Sequence, residues 1–147
     1  MSRELYPEEP AMTDRWIRDQ LEVRCCIESY SDAVMRRDSG AVMALWADDC
    51  RWGVPDMPGL EEVLGKDAIR KAFEDAQALF PFVFLLCVPQ HVAIDGDQAV
   101  ARTYTTETLK DHSGSIRKAL GRYDDRLDRI DGRWLFTERI WTMLFSE

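Results

Sequence analysis

The chain has 147 residues, of which 46% are hydrophobic and 31% charged, with 27 acidic against 19 basic side chains and a formal net charge of -8. That length suits one domain able to bury roughly 70% of its extended surface, and the composition excludes a disordered chain, a collagen or a coiled coil. The acidic excess removes the long-range attraction on which nucleic-acid and anionic-membrane binding depend, so neither partner is expected.

Residues Met1 to Met12, with Pro7, Glu8, Glu9 and Pro10, read as a flexible arm ahead of a single domain from residue 13 to 147. The domain opens with a helix from about Thr13 to Arg37, on which Trp16, Val23, Ile27, Tyr30 and Val34 share one face. Asp32 falls nearly opposite that stripe and is expected to face solvent. Ser39 is the expected cap of a short helix from Gly40 to Ala47, followed by a strand near Cys50 to Val54 and a loop containing Pro55, Pro58 and Gly59. A third helix is predicted from Asp67 to Leu79, with Ile69, Ala72, Phe73, Ala76 and Phe80 in register.

From Phe82 the period becomes that of strands. Four are predicted, at Phe82 to Ile94, Gln98 to Lys110, Ser115 to Ile130 and Arg133 to Phe145. Asp95-Gly96 and Asp131-Gly132 mark two hairpins, both expected as type I′ turns. Helices followed by an antiparallel meander give an α+β domain, with three N-terminal helices in the concave face of a curved sheet, forming a cone or half-barrel with a pocket. Cys25, Cys26, Cys50 and Cys87 form no CxxC pair, and no signal-peptide pattern opens the chain, so a reducing cytoplasmic setting is expected. The longest apolar run, Leu79 to Pro89, is about half a membrane span.

The segments YSDAVMRRD (30–38), ALWADDCRW (44–52), GKDAI (65–69), GRYDDRL (121–127) and DGRW (131–134) carry a resemblance to a known family. The chain resembles the SnoaL-like branch of the nuclear transport factor 2-like superfamily over nearly its whole length. That fold hosts dehydratases, dehydrochlorinases, ketosteroid isomerases, polyketide cyclases, epoxide hydrolases, dioxygenase β subunits and proteins without catalysis. The resemblance also implies dimers or trimers.

Carried over position by position, the Asp-His dyad of the dehydratase and dehydrochlorinase members falls on Met35 and Leu85, so this chain has neither partner. The ketosteroid isomerase pattern fares better, with its tyrosine on Tyr30 and its protonated aspartic acid on Asp125, while its carboxylate base falls on Val54. By alternation Tyr123, Asp125 and Leu127 share one face, and Thr103, Thr105, Glu107 and Leu109 another. Glu107 is therefore the candidate base, expected across from Asp125, and Asp56 in the loop is a weaker one. Each has a plainer alternative: Tyr30 as a core tyrosine, Asp125 as an acceptor for hydroxyl or guanidinium groups, and Glu107 as an ion-paired strand residue.

Met35, Trp52, Val54, Leu85 and Tyr123 are the expected pocket lining, suited to an aromatic, terpenoid or polyketide-like ligand; alternatively these side chains fill the cone. His91, sharing the alternation of Leu85, would reach the pocket's edge or an interface, and His112 lies in a hairpin loop. No metal-ligand spacing and no nucleotide-binding fingerprint is present, so no cofactor is expected. Ile140 to Phe145 is apolar on both faces, which predicts self-association through the sheet. Two functional classes follow: a lyase or isomerase acting on a hydrophobic carbonyl or polyketide-like compound, or a non-catalytic ligand binder or accessory subunit similar to a dioxygenase β chain.

Overall fold

The computed structural model describes residues 11–147, and most of the expected N-terminal arm lies outside them. Helix α1 spans Asp14–Met35, with the Thr13 hydroxyl accepting from the Trp16 N–H at 3.1 Å. Its buried face comprises Val23, Cys26, Ile27, Tyr30, Ala33 and Val34. Asp32 is exposed and pairs with Arg36 at 2.9 Å, so it faces solvent as expected. Helix α2 is only Ser39–Met43, and its cap is Asp38, whose carboxylate accepts from the Ala41 N–H at 2.9 Å. It ends early because β1 (Trp46–Gly53) begins there, and the Leu45 carbonyl accepts from the Phe136 N–H at 2.8 Å.

After β1 come the two-residue strand β2 (Val63–Leu64), which sequence pattern alone does not show, and α3 (Lys66–Leu79). Strands β3 (Phe82–Asp95), β4 (Gln98–Lys110), β5 (Ile116–Ile130) and β6 (Arg133–Ser146) complete a six-stranded, unclosed sheet in the order β2-β1-β6-β5-β4-β3. All neighbours are antiparallel except β1 and β6, which run parallel. The concave face covers a core built on Ile27, Met43, Trp46, Leu127 and Phe136. No helix among the described residues is long and apolar enough to cross a membrane.

Polar side chains of α1 dock it onto β3. The Gln20 amide donates to the Val92 carbonyl at 2.8 Å and Arg24 to the Pro89 carbonyl at 3.0 Å. These two carbonyls flank a bulge, where the pairing jumps from Pro89 opposite Thr103 to His91 opposite Arg102. The extra residue reverses the alternation, so Val92 rather than His91 continues the inward row of Leu85, Cys87 and Pro89. His91 therefore stands off the face on which alternation alone would place it.

The two hairpins differ from each other. Asp131 and Gly132 both have positive φ (51° and 77°), as a type I′ turn requires. In the other, Asp95 pairs with Gln98 and the loop residues are Gly96 and Asp97, of which only Gly96 has positive φ, at 60°. That pattern fits type II′ and corrects the expectation of two identical turns. Replacing either glycine with alanine is expected to lower stability by about 1–2 kcal/mol, because an L side chain resists that conformation; urea denaturation of Gly96→Ala and Gly132→Ala checks this.

Candidate functional site

At the centre of the concave face lies an arginine that sequence pattern does not single out. Alternation from Trp134 and Phe136 would turn Glu138 inward. A bulge intervenes: Phe136 pairs with Leu127 but Glu138 with Arg126, and the extra residue, Thr137, donates its hydroxyl to the Arg126 carbonyl at 3.2 Å. Arg139 is consequently turned inward and is 0% exposed. Its Nε donates to Asp125 Oδ1 at 2.7 Å and its Nη2 to Asp125 Oδ2 at 3.1 Å, a bidentate pair. The Thr103 hydroxyl donates to Asp125 Oδ2 at 2.9 Å.

Three rings surround the guanidinium, with Tyr123 at 3.8 Å and Tyr30 and Phe136 each at 4.3 Å from its carbon to their centroids. Burial works against the charge on Arg139, but the Asp125 carboxylate raises its pKa above the ordinary arginine value. An arginine so placed keeps its proton, and Asp125 is its carboxylate counter-ion. Desolvation raises the Asp125 carboxyl above its ordinary value while Arg139 and Thr103 oppose the rise, and because both oxygens accept hydrogen bonds within the protein, Asp125 is not the free donor that the sequence suggests. The Arg139 Nη1 has no hydrogen-bond partner among the described residues. Two buried thiols, Cys26 and Cys87, feel this pair; desolvation pushes them up to about 12 and about 11, so both stay protonated.

Beside the ion pair, Tyr30 and Tyr123 meet edge to face with centroids 6.3 Å apart, and the Trp52 indole N–H donates to the Tyr123 hydroxyl at 3.2 Å. Burial raises both phenol pKa values, while Arg139 opposes the rise. These hydroxyls are therefore neutral donors at physiological pH.

Glu107 lies further along β4. It pairs with Ala119 across to β5, whereas Asp125 faces Ala101, six residues away and about 20 Å along the strand. The expected juxtaposition of Glu107 with Asp125 does not occur, because the long antiparallel register sets them at opposite ends of the face. Glu107 is half-buried, and desolvation raises its carboxyl above the ordinary 4.5, with Arg117 acting in the other direction. It sits at the mouth of the cone, where Trp52, Leu109 and Trp141 also keep partial exposure.

The Trp141 indole reaches over β5 and its N–H donates to the Thr105 hydroxyl at 2.9 Å. It can lie there because residue 121 is glycine; a Cβ at that point would sit 2.1–2.3 Å from three indole ring atoms. The bulge at Thr137 that turns Arg139 inward also puts Trp141, two residues further on, on the concave face.

Leu85 and Val54 are buried in the structure, and Met35 is half-buried at the end of α1. Asp56 is exposed in the loop after β1, and His112 bonds through Nε2 to the Ala78 carbonyl at 2.7 Å, tying a hairpin to α3. Side chains of Tyr30, Tyr123, Phe136 and Arg139 fill the deep part of the cone. Two open clefts, of about 810 and 380 Å³, are lined by other residues, the first by Asp49, Arg51, Lys66 and Glu138 among others and the second by Ile94, Val100 and Asp128 among others. Among the described residues no cluster of histidine, cysteine and carboxylate side chains could hold a metal ion.

The curved, unclosed sheet with helices in its concavity matches the nuclear transport factor 2-like fold among α+β proteins. Within it, the SnoaL-like domain matches residues 15–140, and the chain belongs to that family. None of the curated proteins compared with the chain matches it. Among solved structures, a protein of Novosphingobium aromaticivorans provisionally assigned as a scytalone dehydratase superposes with TM-score 0.79 at 20% identity, covering 92% of this chain and 91% of that one. A second protein of that organism, provisionally assigned as an aromatic ring hydroxylase, gives 0.79 at 23% identity over 88% and 91%. A hexachlorocyclohexane dehydrochlorinase from Novosphingobium barchaimii gives 0.79 at 13% identity over 89% and 90%. At such identities the likeness concerns the fold.

Removing one partner of the central pair leaves a buried charge without compensation. Arg139→Met is expected to destabilise the protein by about 3–5 kcal/mol. The double variant Asp125→Leu/Arg139→Met should recover most of that loss, and urea denaturation of the two proteins side by side checks the difference.

Proposed function

We propose that this SnoaL-like protein is a cofactor-independent lyase or isomerase acting on a hydrophobic carbonyl or polyketide-like compound, with Glu107 as the group that moves the proton. The observation that carries this reading is a single half-buried carboxyl of raised pKa on the same concave face as a tyrosine pair linked to Trp52. In its ionised form Glu107 takes a proton from the carbon beside the carbonyl. The electron pair moves onto the carbonyl oxygen, where a tyrosine hydroxyl donates and the nearby Arg139 charge favours the developing negative charge. Return of the proton to a different carbon completes an isomerisation; departure of a leaving group with the electron pair completes an elimination.

A second reading is a non-catalytic binder or accessory subunit similar to a dioxygenase β chain. It is favoured by Met35 and Leu85 standing where the dyad would be, and by Asp125 being committed to Arg139. Glu107→Gln distinguishes the two. Under the enzyme reading it lowers turnover by about 10²–10⁴-fold with ligand affinity retained; unchanged turnover leaves only the binding reading.

The same substitution has an expected signature in stability. Because burial raises its folded pKa, the native state favours the neutral acid, and stability fully present below the ordinary 4.5 is lost as pH rises through the raised value. Glu107→Gln has no such titration. Relative to wild type it should gain stability as pH rises above the ordinary 4.5, read from urea midpoints.

Self-association through the convex sheet face is part of this proposal. Phe84, Leu86 and Val88 of β3, Tyr104 of β4, Leu120 of β5 and Phe145 of β6 are exposed there, and Leu86, Thr106, Leu120 and Phe145 form one row by register. An apolar area spread over four strands is supported best by burial against a second copy. Sedimentation of Leu86→Lys/Leu120→Lys should show the monomer, against a dimer or trimer for the wild-type chain.

A further inference from the structure

We infer that the Trp141 indole is a stacking plate for a planar aromatic ring, so that the mouth of the cone selects aromatic over saturated ligands. This rests on the reading of the concave face as a small-molecule site and names the ligand class it takes.

The geometry is that of a fixed surface. Three adjacent atoms of the indole lie at nearly equal distance, 2.1, 2.2 and 2.3 Å, from the Cβ position of Gly121, so the ring lies across that backbone and not beside it. Any other residue at 121 would lift the ring. The same edge is pinned, because Nε1 is one of those three atoms and its N–H donates to the Thr105 hydroxyl at 2.9 Å, Thr105 being itself buried. A ring held by backbone on one side and a hydrogen bond at its edge has little freedom left to lose when a ligand arrives. Its polar group is satisfied within the protein, and it still keeps partial exposure, leaving aromatic surface available for contact.

Its position fits the proposed chemistry. Thr105 and Glu107 are two residues apart on the same face of β4, so the Glu107 backbone lies about 7 Å beyond the point where the indole is anchored. A bicyclic aromatic ring stacked on Trp141 spans that interval and brings a ring substituent to the carboxyl. Tyr123, the pairing partner of Trp141 across β5 and β6, supplies a hydroxyl near the same edge. The matched ligand is a fused or single aromatic ring carrying a hydroxyl or carbonyl group.

The test compares 2-naphthol with its saturated counterpart decahydro-2-naphthol, using titration calorimetry on the full chain. Wild type is expected to prefer the aromatic probe by about five- to tenfold. Trp141→Leu should abolish that preference while leaving the affinity for the saturated probe within about threefold, and Thr105→Val, which frees the indole edge, should reduce it. Circular dichroism melting establishes that each variant is folded; should Trp141→Leu fail to fold, Trp141→Phe is expected to keep part of the preference and Thr105→Val to diminish it. Equal affinity of wild type for the two probes, a preference that survives in folded Trp141→Leu, or an undiminished preference in folded Thr105→Val overturns the plate. Absence of binding by either probe overturns the small-molecule reading together with it. A naphthol preference that depends on Trp141, with turnover indifferent to Glu107→Gln, supports the plate and overturns only the proton-transfer role.

Discussion

The organisation of the concave face depends on one buried ion pair. Arg139 and Asp125 are both almost wholly removed from water, at 0% and 2% exposure, and each would be very costly alone. Together they form a bidentate contact, with Thr103 donating on the carboxylate side and aromatic faces packed on the guanidinium side. The requirement to satisfy this pair sets the orientation of Tyr30 and Tyr123, which in turn positions the hydroxyl to which Trp52 donates. Four elements, α1, β4, β5 and β6, meet at this point. Such a pair contributes less stability than well-packed apolar residues of the same volume, but it admits few alternative packings.

The charge is deep and the accessible chemistry is shallow. The inner cone is filled, and it is at the rim that Glu107, Trp141 and Trp52 retain exposure. Desolvation raises the proton affinity of both carboxylates, but the surroundings that oppose it differ: Asp125 has the Arg139 guanidinium and the Thr103 hydroxyl in direct contact, whereas Glu107 has only the charge of Arg117.

Much of the fold was legible in the residues. The cap and apolar stripe of α1, the register of α3 and the four long strands follow from periodicity, since a residue's neighbours along one element repeat with that element's own geometry. The departures share a cause. Helix α2 is short because parallel pairing of β1 with β6 begins at Trp46, and His91 and Arg139 reverse face because bulges add one residue to β3 and β6. A bulge is a response to a neighbouring strand, and alternation counted along one strand cannot show it.

By itself the sequence determined the α+β class, the order of the longer elements, the family, and Tyr30, Asp125 and Glu107 as polar residues of the inner face, because these depend on local pattern. Only the tertiary structure decided what those residues do to one another. It set Arg139 on Asp125, moved Glu107 away from it, and turned Trp141 inward over Gly121. Those relations come from register across four strands and from the cost of leaving a buried charge unpaired, and both are properties of the assembled sheet.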